Sequence, residues 1–317
     1  LFFAVCAFTL LSFEQEKEAA AASLLSEHPL FPPMIWPADN RPNDMRIALG
    51  EKLFFDPILS RDSSVACGHC HFPDNAFSDT IALSIGFHGR SGMRNAPPLQ
   101  NLAWRHNFFH DGGIRKLELQ VFAPLFDSAE MAFQPIELEE RLNRHPTYPK
   151  QFQQAYGRDP DFFGLVRALA AFERSLISPE SDFDRWLSGE ESALSEKAKR
   201  GMALFYSQQT ACGSCHSGIF LSDDRFYNNG LANGNEDVGR YRITRLATDS
   251  AKFRTPSLRQ LRLTAPYMHD GSLASLEEVI EHYDRGGGED PLKDKRIRPL
   301  NLTEGEKDEL LAFLKVL

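Results

Sequence analysis

Two five-residue motifs of the sequence could carry chemistry, at residues 67–71 and 212–216, and both have the order Cys-x-x-Cys-His. This order is typical of the attachment site of a c-type haem. The spacing lets two thiols form thioether bonds to the two vinyl groups of one porphyrin, and the histidine that follows is placed to bind the iron. We therefore predict two covalently bound haem c groups, held by Cys67, Cys70, His71, Cys212, Cys215 and His216.

Three other interpretations of the motifs compete with haem attachment. Zinc ribbons separate their two Cys-x-x-Cys pairs by about 15–20 residues, and the two pairs here are much further apart. A thioredoxin-like redox pair does not require a histidine after it. Disulfide bonds within the pairs stay open on spacing alone. The histidine that follows both pairs favours haem.

Length and composition predict two soluble domains. The chain has 317 residues, of which 42% are apolar and 25% are charged, so each half is long enough for its own core. The net charge of -9 argues against nucleic acid as a partner, because nucleic-acid binding requires basic surfaces.

The first 43 residues predict an address rather than a domain. Residues 1–13 are apolar and too short to span a bilayer, which fits the core of a secretory signal. Cys6 is interpreted as a residue of that signal, with a lipid-tethered N-terminus as the alternative. A proline-rich leader follows, up to residue 43. Because c-type haem is attached outside the cytoplasm of bacteria, we expect a periplasmic protein, free or tethered to the membrane.

Helical patterns flank both motifs. Residues 45–55 and 198–205 precede them, each with a glycine four positions before a phenylalanine, so that another helix could pack closely there. Residues 162–176 and 303–314 would close the two halves. We expect a mainly α fold with long loops and little β structure, with one cytochrome c-like domain over residues 44–178 and another over 179–317.

A second repeat indicates gene duplication. Pro97 is followed after thirteen positions by His110, and Pro256 is followed at the same interval by His269, with Asp-Gly after each histidine. Two halves with equivalent elements explain this pattern.

The sequence resembles one family over nearly all of residues 44–317, the bacterial dihaem cytochrome c peroxidases and their relative MauG. The resemblance rests on both haem motifs and on segments in matching order: residues 49–56, 94–97, 129–131, 253–259 and 264–271. It implies that peroxide reacts at the N-terminal haem and that the C-terminal haem receives electrons. By position Glu130 resembles the acid/base residue of the peroxide pocket, and Gln120 a polar residue beside it.

The resemblance also implies ligands on the far side of each iron. Peroxidase relatives often have a histidine where this chain has Phe87, and His88 comes one position later, so His88 could bind iron, line the pocket or face water. We expect an iron already open to peroxide. At the second haem Tyr283 occupies the ligand position, as in MauG, where ordinary peroxidases have methionine. The neighbouring His282 is the alternative.

Between the haems, many relatives have a tryptophan where this chain has His110, so an electron route through Trp104 or another aromatic residue stays open. The resemblance implies a calcium ion there, bound by the side chain of Asn95 and the carbonyl oxygens of Thr264 and Pro266. Calcium prefers oxygen ligands of this kind.

The sequence leaves three functions open. The first is a peroxidase that reduces hydrogen peroxide to water, with electrons from a small cytochrome c or copper protein. The second is a MauG-like oxidase that modifies Trp or Tyr of a partner protein. The third is a dihaem electron carrier without enzymatic activity. Both a monomer and a homodimer are compatible with the resemblance.

Overall fold

The protein is mainly helical in the computed structural model, which describes residues 28–231 and 237–317. The predicted signal segment and Cys6 lie outside the described residues. The helices are α1 (Asp44–Phe55), α2 (Leu117–Gln120), α3 (Phe122–Phe126), α4 (Pro135–Arg144), α5 (Tyr148–Tyr156), α6 (Phe162–Ser175), α7 (Asp182–Leu187), α8 (Glu196–Phe205), α9 (Tyr241–Thr244), α10 (Leu276–Asp284) and α11 (Glu304–Leu314). The strands are β1 (Phe226–Tyr227) and β2 (Phe253–Arg254). The prediction of a mainly α fold is confirmed.

The four predicted helices around the motifs are present, and local chemistry fixes where they begin. The side chain of Asn43 accepts a hydrogen bond from the backbone N–H of Met45 at 2.8 Å, at the start of α1. At the start of α11, the Thr303 hydroxyl accepts from the Glu306 N–H, while the Glu306 carboxylate accepts from the Thr303 N–H. This reciprocal pair satisfies two N–H groups that a helix start otherwise leaves unpaired.

Two glycines allow helices to cross at backbone contact. A Cβ atom added to Gly50 of α1 would lie 1.9 Å from the carbonyl oxygen of Ala168 in α6. A Cβ atom added to Gly201 of α8 would lie 1.8 Å from the carbonyl oxygen of Glu309 in α11. The predicted close approach of a second helix is confirmed in both halves.

An aromatic pair accompanies each crossing. The rings of Phe54 and Phe172 are 5.2 Å apart between centroids, and those of Phe205 and Phe313 are 5.4 Å apart. Phe54 and Phe313 have almost no exposed surface. The apolar interior forms two clusters of buried residues, one drawn from residues 49–172 and one from residues 183–317.

Two parts of the fold have no counterpart in the sequence predictions. Helices α2 to α5 fill the region between the first motif and α6. Strands β1 and β2 form an antiparallel ladder in which Phe226 pairs with Arg254 and Tyr227 with Phe253. Two residues per strand are too few to show the alternation by which a strand is recognised in sequence.

The end of the leader packs on the second half. His28 is 8% exposed, its ring stacks on Phe31 with centroids 3.9 Å apart, and its Nε2 atom lies 3.3 Å from the carboxylate of Asp184. Arg259 donates two hydrogen bonds to the same carboxylate, at 2.6 and 2.7 Å. The leader is thereby part of the folded core, although its prolines exclude a helix.

We expect Gly50→Ala and Gly201→Ala each to lower the free energy of unfolding of the haem-loaded protein by about 1–3 kcal/mol or more, because the added methyl group overlaps a carbonyl oxygen. Urea unfolding followed by circular dichroism measures this change. Gly305→Ala is the control, since the nearest atom to its added Cβ is 4.0 Å away. A loss of stability in this control equal to that of the other two variants would contradict the explanation.

Candidate functional site

The first motif begins as a single 3-10 turn, Cys67–His69, directly after the crossing helix α1. Gly68 is required there, because an added Cβ would lie 2.5 Å from the ring of Phe55. His71 closes the turn, and its Nδ1 atom lies 2.7 Å from the carbonyl oxygen of Phe77. This hydrogen bond makes Nδ1 the protonated nitrogen and leaves Nε2 as the nitrogen able to bind a metal.

The second motif repeats this arrangement. The turn is Cys212–Ser214, and a Cβ atom added to Gly213 would lie 2.4 Å from the ring of Tyr206. The Nδ1 atom of His216 lies 3.1 Å from the carbonyl oxygen of Leu221. Both histidines therefore have the orientation and the tautomer of an iron ligand.

The ionisation of both motifs suits covalent haem attachment. The four motif cysteines are free of disulfide bonds. Burial raises the pKa of the Cys70 thiol to about 11, so it stays protonated at neutral pH. Burial lowers the pKa of the His71 and His216 imidazoles, opposed by their hydrogen bonds to the carbonyl groups. Neutral imidazole is the form that binds iron.

A cavity lies beside the second motif, and its walls fit a porphyrin. Apolar side chains line much of it, together with both cysteines and the histidine of the motif; among the apolar ones are Leu258, Ile280, Leu310 and Leu314. His269 also lines the cavity, and its buried Nε2 atom has no hydrogen-bond partner. An unpaired buried nitrogen is costly unless a bound group satisfies it.

Tyr283 of α10 faces this cavity, whereas His282 does not. The Tyr283 hydroxyl lies 3.4 Å from the side-chain nitrogen of Asn229, which donates to it. Burial raises the pKa of Tyr283, and this hydrogen bond opposes the rise. His282 is instead 3% exposed, with Nε2 bonded to the carbonyl oxygen of Asn229 at 3.1 Å. Of the two candidates from sequence, Tyr283 has the position of an iron ligand.

Glu130 lies near the first motif. Its carbonyl oxygen accepts from the N–H of Phe87 at 2.7 Å, and a Cβ atom on Gly86 would lie 2.2 Å from the carbonyl oxygen of Ala129. The side chain reaches solvent on one side and is otherwise enclosed by protein. Burial raises the pKa of Glu130 to about 7, and the charge of Asp127 adds to the rise. The carboxyl group can therefore both hold and release a proton near neutral pH.

His88 faces water. Its side chain is 64% exposed, its Nε2 atom lies 3.9 Å from a carboxylate oxygen of Asp62, and its ring stacks on Phe87 with centroids 3.9 Å apart. Phe87 is the buried member of the pair, at 6% exposure. Of the three orientations that the sequence left open, the structure has the solvent-facing one. Gln120 is half-buried at the end of α2.

The three residues expected at calcium line the cavity together. Asn95, Thr264 and Pro266 all contribute to its wall, and the Ala265-Pro266 peptide bond is cis. The side-chain nitrogen of Asn95 donates to the carbonyl oxygens of Ile81 and Ala82, at 3.1 and 3.2 Å. This orientation leaves the amide oxygen of Asn95 as an available ligand, which is compatible with calcium.

His110 is a neutral residue at the contact between the two halves. Its Nε2 atom donates to the carbonyl oxygen of Asn95 at 2.9 Å, and burial lowers its pKa to about 4. Nearby, Arg94 bonds to Asp111 of the first half and to Asp237 of the second, at 2.6–2.8 Å. Trp104 lies apart from the cavity, against Phe31 and Phe220.

Two side chains near the motifs were not predicted. Glu173 is 5% exposed, and burial raises its pKa to about 8, although Arg174 opposes the rise. Its charge in turn raises the pKa of Cys67. Met268 lines the second cavity, with its sulfur 3.5 Å from the Asn229 nitrogen that also reaches Tyr283. A glutamate inside the apolar run of α6 was the available signal for the first of them.

Comparison with known proteins identifies the family. A family model described as di-haem cytochrome c peroxidase matches residues 44–192. The methylamine utilization protein MauG of Methylorubrum extorquens is 41% identical over 276 residues, which cover 86% of this chain and 78% of that protein. The chain belongs to the di-haem cytochrome c peroxidase family. The resemblance predicted from the sequence is confirmed.

Two further relatives agree with this family. The cytochrome-c peroxidase IdrP1 of Denitromonas iodatirespirans is 36% identical, over 90% of this chain and 85% of its own. The crystal structure of a MauG-like protein associated with microbial copper homeostasis superimposes with a TM-score of 0.86, at 33% identity, over 92% of this chain and 94% of that one. As a member of this family of di-haem oxidoreductases, the protein is an enzyme that uses two haem groups. In the described residues, no helix is long and apolar enough to cross a membrane.

Infrared difference spectra should show the protonated carboxyl band of Glu130 disappearing as the pH rises through about 7. Asp127→Asn is expected to move this transition to lower pH, because a neighbouring negative charge is removed. The free energy of unfolding should fall between about pH 4.5 and 7, because the unfolded carboxyl group releases its proton at lower pH than the folded one. Glu130→Gln should lack the band; a band that persists in this variant would assign it to another group.

Proposed function

We propose that this protein is a c-type di-haem peroxidase that reduces hydrogen peroxide to two waters at the haem of residues 67–71, using electrons that pass through the haem of residues 212–216. The supporting observation is an asymmetry between the two motifs. The second motif shares its cavity with a candidate ligand, Tyr283. Near the first motif the structure instead offers a carboxyl group, Glu130, with a pKa of about 7, while His88 faces water.

Covalent attachment follows from the chemistry of the cysteines. Cys67 and Cys70 would add to the vinyl groups of one haem, and Cys212 and Cys215 to those of the other, giving four thioether bonds. His71 and His216 would bind the irons through Nε2, since Nδ1 of each is bonded to a carbonyl oxygen. The first haem, when bound, supplies an iron centre at which the O–O bond of peroxide is cleaved.

Glu130 would move the protons of the reaction. One oxygen of peroxide must lose a proton and the other must gain one as the bond between them breaks. The Glu130 carboxylate would accept the first proton and return it to the leaving oxygen. With two electrons and two protons supplied from outside, one hydrogen peroxide gives two waters. Gln120, ten residues earlier, is proposed to orient the peroxide by hydrogen bonding.

Tyr283 favours a second candidate function, oxidation of Trp or Tyr side chains in a partner protein. A phenolate is a hard ligand that stabilises ferric over ferrous iron, and axial ligands change haem potentials over about 0.8 V. A second haem bound by Tyr283 would accept electrons from a mild donor poorly and share oxidising equivalents well. MauG of Methylorubrum extorquens, the 41% identical relative, gives this candidate further support.

The partners and the location follow the same proposal. Electrons would come from a small cytochrome c or copper protein, and a protein substrate would replace this donor in the second function. Export to the periplasm would accompany covalent haem, with the tethered form and the homodimer as open variants. A calcium ion would lie between the haems on Asn95, Thr264 and Pro266.

Tyr283→Phe is expected to change the absorption and electron paramagnetic resonance spectra of the low-spin haem, because the phenolate ligand is lost. Tyr267→Phe is the matched control. Tyr267 lines the same cavity, but its hydroxyl donates to the carbonyl oxygen of Leu261 at 3.0 Å. An unchanged spectrum in Tyr283→Phe would exclude this tyrosine as a ligand.

Stoichiometric hydrogen peroxide should oxidise the ferric protein, with a rate that rises as the pH passes about 7 and Glu130 becomes a carboxylate. Glu130→Gln should slow the reaction by on the order of 10²-fold or more and remove this pH dependence. Glu140→Gln, an exposed carboxylate paired with Arg144, should behave like the wild type. A protein whose two irons are both inert to peroxide would be an electron carrier instead.

The same preparation separates the two candidate functions. Steady turnover of peroxide with a reduced cytochrome c or copper protein supports the peroxidase. A gain of mass in a partner protein that depends on peroxide supports the oxidase. Mass spectrometry of the protein itself should show two covalent haems, and their absence would refute both.

A further inference from the structure

Two buried arginines share a single carboxylate where the two halves meet. Nitrogen atoms of Arg105 and Arg254 lie 3.3 and 3.2 Å from the same Oδ1 atom of Asp224. Both arginine side chains are 9% exposed, and that of Asp224 is 19% exposed. Arg105 comes from the first half of the chain and the other two residues from the second.

The carboxylate cannot satisfy both guanidinium groups. Its second oxygen already accepts from the backbone N–H of His106 and from the side chain of Asn107, both at 3.3 Å. Burial lowers the pKa of Arg105 to about 9, and the charge of Arg254 lowers it further. The cluster of Arg105, Arg254 and Asp224 therefore buries one uncompensated positive charge, which is costly without an anion.

Other buried arginines of the described residues have carboxylates of their own. Arg174 donates to both oxygens of Glu118, at 2.6 and 3.1 Å. Arg259 donates to both oxygens of Asp184. The cluster at Asp224 differs from these balanced pairs in its excess of one cation.

The arginines of this cluster also face the cavity of the second motif. Arg105 and Arg254 both line it, together with Cys212, Cys215 and His216. Arginine presents several N–H donors in a planar fork that matches a carboxylate. A buried cavity of this kind calls for a ligand that is apolar over most of its surface and carries a carboxylate at one edge.

We propose that Arg105 and Arg254 bind the propionate carboxylates of the haem attached at Cys212 and Cys215. The inference rests on the proposed function for the presence of that haem and adds the residues that hold its charged edge. Because Arg105 belongs to the first half, the haem of the second half joins the two. The backbone supports this contact, since Arg254 donates to the carbonyl oxygens of His110 and Phe109, at 2.7 and 3.2 Å.

The reduction potential of the second haem tests the assignment, because a nearby positive charge stabilises the ferrous form. Arg105→Gln and Arg254→Gln should each lower the ratio of ferrous to ferric haem at a fixed potential by on the order of tenfold, which is about 59 mV for one electron. Asp224→Asn should raise it, since it removes a negative charge. Arg105→Lys retains the charge and should stay close to the wild type.

Arg174→Gln is the matched control, because it removes a buried cation from a balanced pair that does not line the cavity. Spectroelectrochemical titration is measured on each variant after mass spectrometry has established two haems per chain. A wild-type chain without the second haem would refute the proposed function. Intact haem with equal potentials in wild type, Arg105→Gln and Arg254→Gln would refute only this inference, as would a shift of Asp224→Asn in the same direction as the arginine variants.

Added inorganic phosphate distinguishes the haem carboxylates from a free anion. With the propionates in place, phosphate should leave the wild-type potential unchanged at constant ionic strength. A saturable shift with phosphate that disappears in Arg105→Gln would show a site for a soluble anion and overturn the assignment.

Discussion

The contact between a glycine of one helix and the backbone of another is the constraint on which both halves of this protein depend. Gly50 of α1 meets Ala168 of α6, and Gly201 of α8 meets Glu309 of α11, without room for a methyl group. Each crossing fixes the direction in which the chain leaves the first helix, and the Cys-x-x-Cys-His turn comes next. The position of each histidine thus depends on a contact between residues that touch neither iron nor peroxide.

The same scaffold produces two different environments, and the difference lies in the loops. Around the first motif, Gly86 and Phe87 hold the backbone of Glu130, and the buried side chain is an apolar ring. Around the second, α10 supplies Tyr283 and a loop supplies Asn229 beside it. One half is thereby equipped to handle protons and the other to set an electron potential. Duplication kept the helices, and the specialised chemistry developed between them.

The sequence predicted those parts of the protein that local rules control. Helix starts, the glycines of the crossings and the haem motifs each depend on residues a few positions apart. Glu130 and Tyr283 were reached through family resemblance. The cluster at Asp224 could not be predicted, because Arg105 and Arg254 are 149 positions apart in the chain and meet only after both halves fold. For the same reason, no pattern showed that His88 faces water and Phe87 is buried.

The packing of His28 has a consequence for the maturation of this protein. Its ring lies between Phe31 and the Asp184 carboxylate, which Arg259 also holds. A peptidase that trims the exported polypeptide must therefore cut upstream of residue 28 to leave this aromatic and ionic plug intact. Removal of a few more residues would expose the Asp184 pair to solvent and loosen the floor beneath the second domain.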